Sequence, residues 1–498
     1  MIRLDLNRHR FLCRPFRSEN HSRLTKHLPD IQYQSITEIA PRIRNGDLSP
    51  VDLVDSLLRQ ISRLEPSVNA FLEVWSDSAR TAAHLAEGEI KSGKYIGPLH
   101  GIPIGLKDLI DVAERKTTGG SKVLADNIAN SDATVVKRLK AAGAILMGKL
   151  NLVEFAFGTT GLNPYTGDVK NPWDKTRITA GSSSGSAAAV ACGMIPGSLG
   201  SDTGGSIRMP ASVCGIAGLK PTYGRIPRTG VLDLSWSMDH VGPMARTTED
   251  CALLLNALAG SDNGDLTSYA GPTEDFTSQF KKGLGLIRIG VPTNYFFEDP
   301  VDPEISEAVL SSINTMVLNG AEVVEVSMPW VDKGRAINLG VIRPEAVSVH
   351  ESLMAENANL YTPDLRRRIQ SGSSITAIDY IHAQRARQWF NQQMSESMEQ
   401  VDVLITPSVP IQTPTIKQCK SDKNGEAASQ LPMFTSVFDV TGQPSHSIPC
   451  GFTSGGMPIG MMITGHPYDE KTVLRVGNAF EKLTHWHQRV PTDIPEIN

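Results

Sequence analysis

The sequence predicts an α/β protein whose large mixed β-sheet is covered by helices on both faces. Two observations predict this class. Short apolar segments typical of buried strands alternate with helical segments, and a further buried strand follows late in the chain. A chain of 498 residues, 40% of them hydrophobic, can also bury a large core and a closed pocket. We expect one domain over residues 35–490, with a central part at about 97–260 and a C-terminal part at about 270–490 that completes the sheet and the pocket.

The charge and cysteine content exclude several classes of function. A formal net charge of −5 gives no electrostatic reason to expect binding to nucleic acid or to an anionic membrane. The sequence has no apolar run of 18 residues, so we expect no membrane span. The six cysteines form no CxxC pair, which favours reduced thiols over a disulfide framework or a zinc site. We therefore expect a cytoplasmic protein that holds no metal.

Residues 1–34 differ in composition from the rest of the chain. The first 27 residues contain seven lysines or arginines and only two acids, Asp5 and Glu19. Such a segment is typical either of a flexible extension or of an organelle-targeting leader, although the two acids interrupt the leader pattern. Both interpretations stay open from the sequence.

Two helices are predicted from their capping signals at the start of the domain. In SITE (35–38), Ser35 and Glu38 fit a capping box that begins a helix at Ile36. In SPVD (49–52), Ser49 fits the N-cap of a second helix, with proline in its first turn. The buried face of the second helix is expected to consist of Val54, Leu57, Leu58 and Ile61.

Short strands and helices then alternate along the central part. The helix at 133–142 is expected to be capped by Ser131 or Asp132. The predicted elements of this part are a strand and its turn within 97–111, the helix at 133–142, a strand at 144–149, a helix at 186–191, a strand at 195–202, and a turn with a helix start at 206–213.

The chain becomes more charged after about residue 260. Its predicted elements are a loop at 260–272, strands at 287–292 and 321–329, helices within 342–400, a buried strand at 401–410, and an exposed loop at 416–430. This last third either rejoins the first sheet or forms an insertion upon it.

Candidate chemistry lies in two segments rich in serine and glycine, AGSSSGSAAAV (180–190) and GSDTGGSIRMPAS (200–212). In DTGGS, Gly204 and Gly205 let the backbone turn sharply, and successive N–H groups ahead of a helix form a site for negative charge. A serine that closes such a turn can attack a carbonyl carbon while these N–H groups hold the oxyanion.

A serine nucleophile needs a base, and the residues leave two candidates. GSSSG (181–185) matches the GxSxG pattern at Ser183, for which His446 is the best histidine. The other candidate is a neutral lysine, whose pKa must fall through burial or a nearby cation. Lys107, within the apolar segment GIPIGLKDLI, is the best buried lysine. An ion pair between Lys107 and Asp108 is the structural alternative to that role.

GIPIGLKD, AGSSSGS and GSDTGGSIRMPAS, in this order, resemble the motifs of the amidase signature family of serine hydrolases. The family pattern GSDTGGSIRxPA matches residues 200–211 without a break, whereas GGSSGGS matches 180–186 except at Ala180 and Ser184. The resemblance covers about residues 35–488 and implies the amidase signature fold, with a catalytic core at about 97–260.

The resemblance implies a role for each matched catalytic position. Lys107 corresponds to the base, Ser182 to a proton relay that follows a cis peptide bond, and Ser206 to the nucleophile that forms the acyl-enzyme. The spacing between these positions, 75 and then 24 residues, is also that of the family. Neutral lysine would deprotonate Ser182 as Ser182 deprotonates Ser206, and this relay needs neither metal nor cofactor.

The same resemblance assigns the turn around the nucleophile. The backbone N–H groups of Thr203, Gly204, Gly205 and Ser206 correspond to the oxyanion hole. Asp202 and Arg208 flank this turn, and we interpret them as structural support for it.

The family contains both stand-alone amidases and the glutamine-hydrolysing subunit of an amidotransferase. In that subunit, an acid contacts the amino group of glutamine seven residues before the asparagine of an NLAGxP motif. Here DVTGQP (439–444) puts Pro432 at the position of the acid and Asp439 at that of the asparagine. We therefore expect a stand-alone amidase that acts on a small-molecule amide, and a homodimer is compatible with the sequence. The alternatives are a non-catalytic scaffold and the glutamine-hydrolysing subunit.

Aromatic and apolar side chains are candidates for the substrate pocket. Phe155, Phe157, Trp236 and Met238 are the residues that we assign to its walls. Trp236 would suit an aryl amide or a carbamate, and ordinary core packing is the alternative.

Overall fold

The computed structural model of the protein describes residues 31–491, except residues 273, 293 and 423–424. The interpretation of residues 1–30 as an extension or leader therefore lies outside the described residues. Residues 31–34, which that prediction included, are described: Ile31–Tyr33 form a 3₁₀ turn, and the Gln34 side chain is buried. No helix among the described residues is long and apolar enough to cross a membrane.

One mixed sheet of eleven strands is present in the described part of the chain, as the sequence predicts. Parallel and antiparallel pairs both occur in it, and the strands around the centre of the sheet are buried on both faces. The strands, in chain order, are β1 Phe71–Val74, β2 Pro103–Lys107, β3 Ile145–Leu150, β4 Gly197–Asp202, β5 Ala217–Lys220, β6 His240–Ala245, β7 Arg288–Pro292, β8 Glu322–Val326, β9 Val403–Pro407, β10 Ser445–Phe452 and β11 Pro458–Gly465. Their order across the sheet is β1-β3-β2-β4-β6-β5-β10-β11-β9-β7-β8.

Helices cover the sheet, which confirms the predicted fold class. They are α1 Ile36–Asn45, α2 Pro50–Val68, α3 Ser76–Lys91, α4 Thr134–Ala141, α5 Ser184–Ala191, α6 Arg208–Cys214, α7 Thr248–Leu258, α8 Pro303–Leu318, α9 Lys333–Asn357, α10 Pro363–Gln370, α11 Ala377–Ser397, α12 Ile416–Ser421, α13 Glu426–Gln430, α14 Thr435–Thr441 and α15 Glu470–Leu483. Helices α5 and α6 pack on each other and on the central strands, and α7 and α15 form a second such pair.

The predicted caps of the first two helices are confirmed, and those of the helix at 133–142 are wrong. Ser35 and Glu38 form both bonds of a capping box, and the Ser49 hydroxyl accepts hydrogen bonds from two N–H groups of α2. Helix α4 has no side-chain cap. Asp132 does not cap it because its carboxylate accepts a hydrogen bond from Ala113 N and pairs with Lys140.

The exposed loop predicted at 416–430 is also wrong, because this segment contains α12 and α13. Thr415 and Gln418 form a capping box that begins α12, and Ile416 packs against the main hydrophobic core. The short polar segment therefore holds helices that its composition does not indicate.

The last third of the chain rejoins the first sheet, and the alternative of an insertion upon it is wrong. β10 pairs antiparallel with β5, with His446 opposite Leu219, and β11 and β9 continue the same sheet. At the other side of β5 and β6, the parallel neighbours β2 and β4 end at the same edge of the sheet. The carboxyl ends of such strands are common positions for functional side chains.

Candidate active site

Lys107 is the last residue of β2, and the parallel register places it beside the end of β4. Leu106 is opposite Leu199, so the chain that continues β4 through Ser201 and Asp202 lies next to the lysine. The first turn of α5 lies at the same place, because α5 packs against both β2 and β4. Two segments far apart in sequence thus meet around one amine.

The Lys107 side chain is fully buried, and its amine contacts three serine hydroxyls. Nζ lies 2.7 Å from Ser182 Oγ, 3.0 Å from Ser183 Oγ and 2.8 Å from Ser201 Oγ. Among the residues that the structure describes, no carboxylate lies within 4.0 Å of this amine. The lysine is therefore solvated by neutral hydroxyl groups and not by an ion pair.

The hydrogen bonds of these serines allow the amine to be neutral. Ser183 Oγ uses its one proton on Ser201 O at 3.1 Å, so it must accept from Lys107. A neutral amine has two N–H donors and one lone pair. It can therefore donate to Ser183 and Ser201 and still accept the proton of Ser182.

Burial lowers the pKa of Lys107 to about 7, against the opposing effects of the negative charges of Asp202 and Asp239. Removal from water disfavours the ammonium form, and no contacting carboxylate in the described part of the chain compensates for it. At neutral pH a substantial fraction of the amine is therefore free to take a proton.

Ser182 is reached through a backbone that only small residues can follow. The Gly181–Ser182 peptide bond is cis, as the resemblance implies. A Cβ atom on Gly181 would lie 2.7 Å from Val153 Cγ2 and 2.8 Å from Gly161 N, so any side chain there would clash. Ala180, one of the two departures from the family pattern, has a left-handed φ of 51°. Ser184, the other departure, is the first residue of α5.

Asp202 organises the turn that carries Ser206. Its carboxylate accepts hydrogen bonds from the backbone N–H groups of Gly205 at 2.6 Å and Ile207 at 3.0 Å. Arg208 donates to the same carboxylate at 2.9 and 3.0 Å and to Asp439 at 2.7 Å. Burial acts to raise the pKa of Asp202, but Arg208 and these N–H groups hold it well below its usual range. Both residues thus have the geometry of structural support.

The oxyanion-hole positions differ in the availability of their N–H groups. The Gly205 N–H is donated to Asp202, whereas those of Thr203, Gly204 and Ser206 make no hydrogen bond to a described residue. Gly205 has a φ of 127°, and a Cβ atom there would lie 2.0 Å from Thr435 Oγ1. Three N–H groups of this turn are thus free for a ligand oxygen.

Ser206 is 7% exposed and opens the turn to solvent. Its carbonyl accepts a hydrogen bond from Ser183 N at 3.2 Å, which ties the two serine-rich segments together. Its hydroxyl makes no hydrogen bond to any side chain that the structure describes. Such bonds often form only when substrate is bound.

The candidate pocket residues have different environments. Phe155 is buried and stacks on Tyr361, and Met238 is fully buried in a core cluster. Phe157 is half-buried between two apolar clusters. Trp236 is 54% exposed, so core packing does not describe it.

The loop that carries Trp236 is held firmly beside the site. Buried Glu345 accepts hydrogen bonds from the hydroxyls of Ser235 and Ser237 at 2.5 and 2.7 Å. Asp239, farther along the same loop, accepts one from Thr203 Oγ1 at 2.6 Å. The exposed indole therefore stands on a rigid loop that borders the turn.

Two alternatives from the sequence are wrong. Asp108 pairs with Lys149 at 3.2 Å and not with Lys107. His446 is buried and its Nε2 lies 3.0 Å from Thr248 Oγ1, while the hydroxyl of Ser183 is used by Lys107 and Ser201. No described contact joins His446 to Ser183. The described residues also contain no group of three or more histidines, cysteines or acids placed to hold a metal ion.

Several residues of the site could not be identified from the sequence. Ser183 and Ser201 contact Lys107, and their position within the two serine-rich segments was the only available signal. Asn338 on α9 donates to Thr203 O at 3.1 Å, and Thr435 on α14 donates to Gly204 O at 2.7 Å. Nothing in the sequence indicates that these two distant residues hold the turn.

Comparisons with known proteins agree with this geometry. The profile of the Amidase family matches residues 52–474. The chain is similar to an amidase of Pseudomonas putida, with 39% identity over 470 residues, covering 92% of this chain and 97% of the relative. It is also similar to the A-type subunit of glutamyl-tRNA(Gln) amidotransferase from Chloroflexus aggregans, with 38% identity over 487 residues, covering 93% and 99%. A solved bacterial aryl acylamidase of the amidase signature enzymes superposes with a TM-score of 0.84 at 26% identity, covering 93% of this chain and 99% of that one.

Proposed function

The chain belongs to the amidase signature family of hydrolases that act on carbon–nitrogen bonds, and we propose on this basis that it is a stand-alone amidase with Ser206 as its nucleophile. The observation that carries the proposal is the environment of Lys107: a buried amine in contact with three serine hydroxyls and no described carboxylate. A lysine in that environment can act as a base near neutral pH.

In the acylation step, Ser206 Oγ attacks the carbonyl carbon of the amide. Ser182 takes the proton of Ser206 while Lys107 takes that of Ser182, at 2.7 Å. The free N–H groups of Thr203, Gly204 and Ser206 stabilise the oxyanion. Asp202 keeps the Gly205 N–H and holds the turn in shape.

Collapse of the tetrahedral intermediate breaks the carbon–nitrogen bond. The nitrogen leaves as a neutral amine or ammonia because Ser182 returns a proton to it, and Lys107 then reprotonates Ser182. Water attacks the acyl-enzyme through the same relay, which releases the carboxylic acid and restores Ser206. The net reaction consumes one amide and one water.

A fluorophosphonate probe tests the nucleophile. We expect the wild type to be labelled, Ser206→Ala to lose labelling, and the exposed-surface control Ser373→Ala to keep it. A wild type that is not labelled, or a Ser206→Ala variant that is, would contradict the proposal. The unlabelled outcome would favour the scaffold interpretation.

An aryl amide or a carbamate is our hypothesis for the substrate. The exposed indole of Trp236 on its rigid loop supports it, because an indole can stack on an aryl group. Hydrolysis rates for anilides, carbamates, aliphatic amides and glutamine test it. If only glutamine were hydrolysed, the hypothesis would be wrong.

The glutamine-hydrolysing subunit is the second candidate, because a relative with that kind of name matches 93% of the chain at 38% identity. Two residues count against it: Pro432 occupies the position of the acid that holds the amino group of glutamine, and Asp439 replaces an asparagine. Asp439 pairs with Arg208 and so supports the turn. Hydrolysis of other amides by the purified chain alone distinguishes the two candidates.

A further inference from the structure

We propose that Arg335 binds a carboxylate of the substrate, so that the enzyme prefers short amides that carry a carboxylate close to the scissile bond. The inference rests on the proposed amidase function and specifies its substrate class.

Arg335 lies beside the turn that carries the nucleophile. It is on the first turn of α9, and a Cβ atom placed on Gly204 would lie 3.9 Å from its Nη1. A substrate carbonyl held by the Gly204 N–H group, at about 3 Å, would therefore have this guanidinium as a near neighbour. A carboxylate attached through about one to three carbons can span that gap.

Asn338 fixes the arginine to the same turn. Its Oδ1 accepts a hydrogen bond from Arg335 Nη1 at 3.0 Å, and its Nδ2 donates to Thr203 O at 3.1 Å. Asn338 is fully buried. The position of the guanidinium relative to the oxyanion-hole residues is thus set by one short chain of hydrogen bonds.

The guanidinium lacks a counter-ion. Among the described residues, no carboxylate lies within 4.0 Å of Arg335, and the bond to Asn338 uses only one of its five N–H donors. Burial, and then the positive charge of Arg343, lower the pKa of Arg335 to about 10 against the opposing effects of Tyr295 and Asp439. A half-buried charge without a partner is costly, and a ligand anion would offset that cost.

Two further arginines give this region an excess of positive charge. Arg343 lies two turns along α9 and pairs with no carboxylate in the described part of the chain. Arg368 pairs with Asp364 at 2.7 Å and donates to the carbonyl of Phe157 at 2.9 Å. The net charge of the protein is −5, so this basic region beside the nucleophile is local.

The anion is a carboxylate without a neighbouring ammonium. The position that holds the amino group of glutamine in the amidotransferase subunit is Pro432 here, which offers no acid. Arg343 and Arg368 would also repel an ammonium group. Glutaramate, which is glutamine without its amino group, is therefore expected to be a better substrate than glutamine.

Half-amides of dicarboxylic acids and their diamides test the proposal, because each pair differs in charge and hardly in size. We expect the wild type to prefer malonamate, succinamate or glutaramate over the matching diamide by about 30-fold in kcat/KM. Arg335→Met should abolish that preference, mainly through KM, and change diamide hydrolysis by less than about threefold. Arg335→Lys should keep part of it, since the charge remains without the planar fork.

Arg367→Met is the matched control, because Arg367 is 76% exposed and lies on α10. It should keep the wild-type preference. Equal rates for half-amides and diamides in the wild type, or equal losses for both in Arg335→Met, would overturn the proposal.

Binding to the Ser206→Ala variant separates this inference from the proposed function. Calorimetry should detect malonamate binding that is weakened about 30-fold when Arg335→Met is added. Equal affinity for malonamate and malonamide would overturn the anion site even if the wild type is labelled by fluorophosphonate. Failure of that labelling would instead contradict the proposed nucleophile.

Discussion

Two lysines on neighbouring strands, Lys107 on β2 and Lys149 on β3, are equally buried and have opposite surroundings. Lys149 Nζ lies 3.2 Å from Asp108 and donates to Ile110 O at 2.6 Å and to Thr117 Oγ1 at 2.9 Å. Lys107 contacts serine hydroxyls only. The register pairs Lys149 with Leu106, so the two lysine side chains point to opposite faces of the sheet.

These two lysines show that burial alone does not make a base. Burial lowers the pKa of both amines, but the carboxylate of Asp108 contacts Lys149 and opposes this effect. For Lys107 the opposing charges, Asp202 and Asp239, are not in contact, and its pKa falls to about 7. A lysine beside a carboxylate supports the fold, whereas a lysine among hydroxyls can exchange a proton.

Removing Lys107 should have the largest effect on catalysis. We expect Lys107→Met to lower kcat/KM by about 10³-fold, because the relay loses its proton acceptor, while the fold is kept by the similar volume of methionine. Steady-state rates and the urea midpoint of unfolding measure the two effects. Wild-type turnover in this variant would show that Lys107 is not the base.

Removing Lys149 should act on stability instead. Lys149→Met leaves Asp108 buried without its cation, which should lower the free energy of unfolding by about 3–5 kcal/mol. The molecules that remain folded should keep their rate within about threefold. Adding Asp108→Asn should restore part of the stability, and a double variant no more stable than the single one would contradict the ion-pair role.

The pKa of Lys107 predicts the pH dependence of the reaction. Below about pH 7 the amine is protonated and cannot accept a proton, so kcat/KM should fall as pH decreases and level off above that value. Asp239→Asn removes a charge that raises this pKa, so the descending limb should move to lower pH. A rate independent of pH between about 6 and 8, or an upward shift in Asp239→Asn, would contradict the assignment.

The two lysines also show what the sequence could predict. The fold class and the meeting of Lys107 with the serine-rich segment followed from local patterns and from family resemblance. The pair of Lys107 with Asp108 could have been rejected from the sequence. Adjacent residues at a strand end point to opposite faces, and Asp108 accordingly meets Lys149. Strand alternation was thus a signal present in the segment itself.

The rest of the site depends on tertiary packing that no local pattern encodes. Asn338, Thr435 and Arg335 come from α9 and α14, more than 125 residues after the turn that they contact. Each lies in an ordinary helical sequence, and only the packing of those helices on the turn gives them a position. The exposed loop predicted at 416–430 was wrong for a related reason, since its polar composition does not reveal its capping and core contacts.

The smallest expected effect concerns a single hydroxyl beside Lys107. Ser201→Ala removes one of the three groups around the amine, at 2.8 Å, and leaves Ser182 and Ser183 in place. Losing one such bond should lower kcat/KM by about 5- to 10-fold, and the pH limb should move to lower values because the ammonium form is less well solvated. Ser373→Ala on the surface should change neither quantity. If Ser201→Ala moved the limb upward, the hydroxyl would not be stabilising the charged amine, and the contrast with Asp108 beside Lys149 would lose its physical basis.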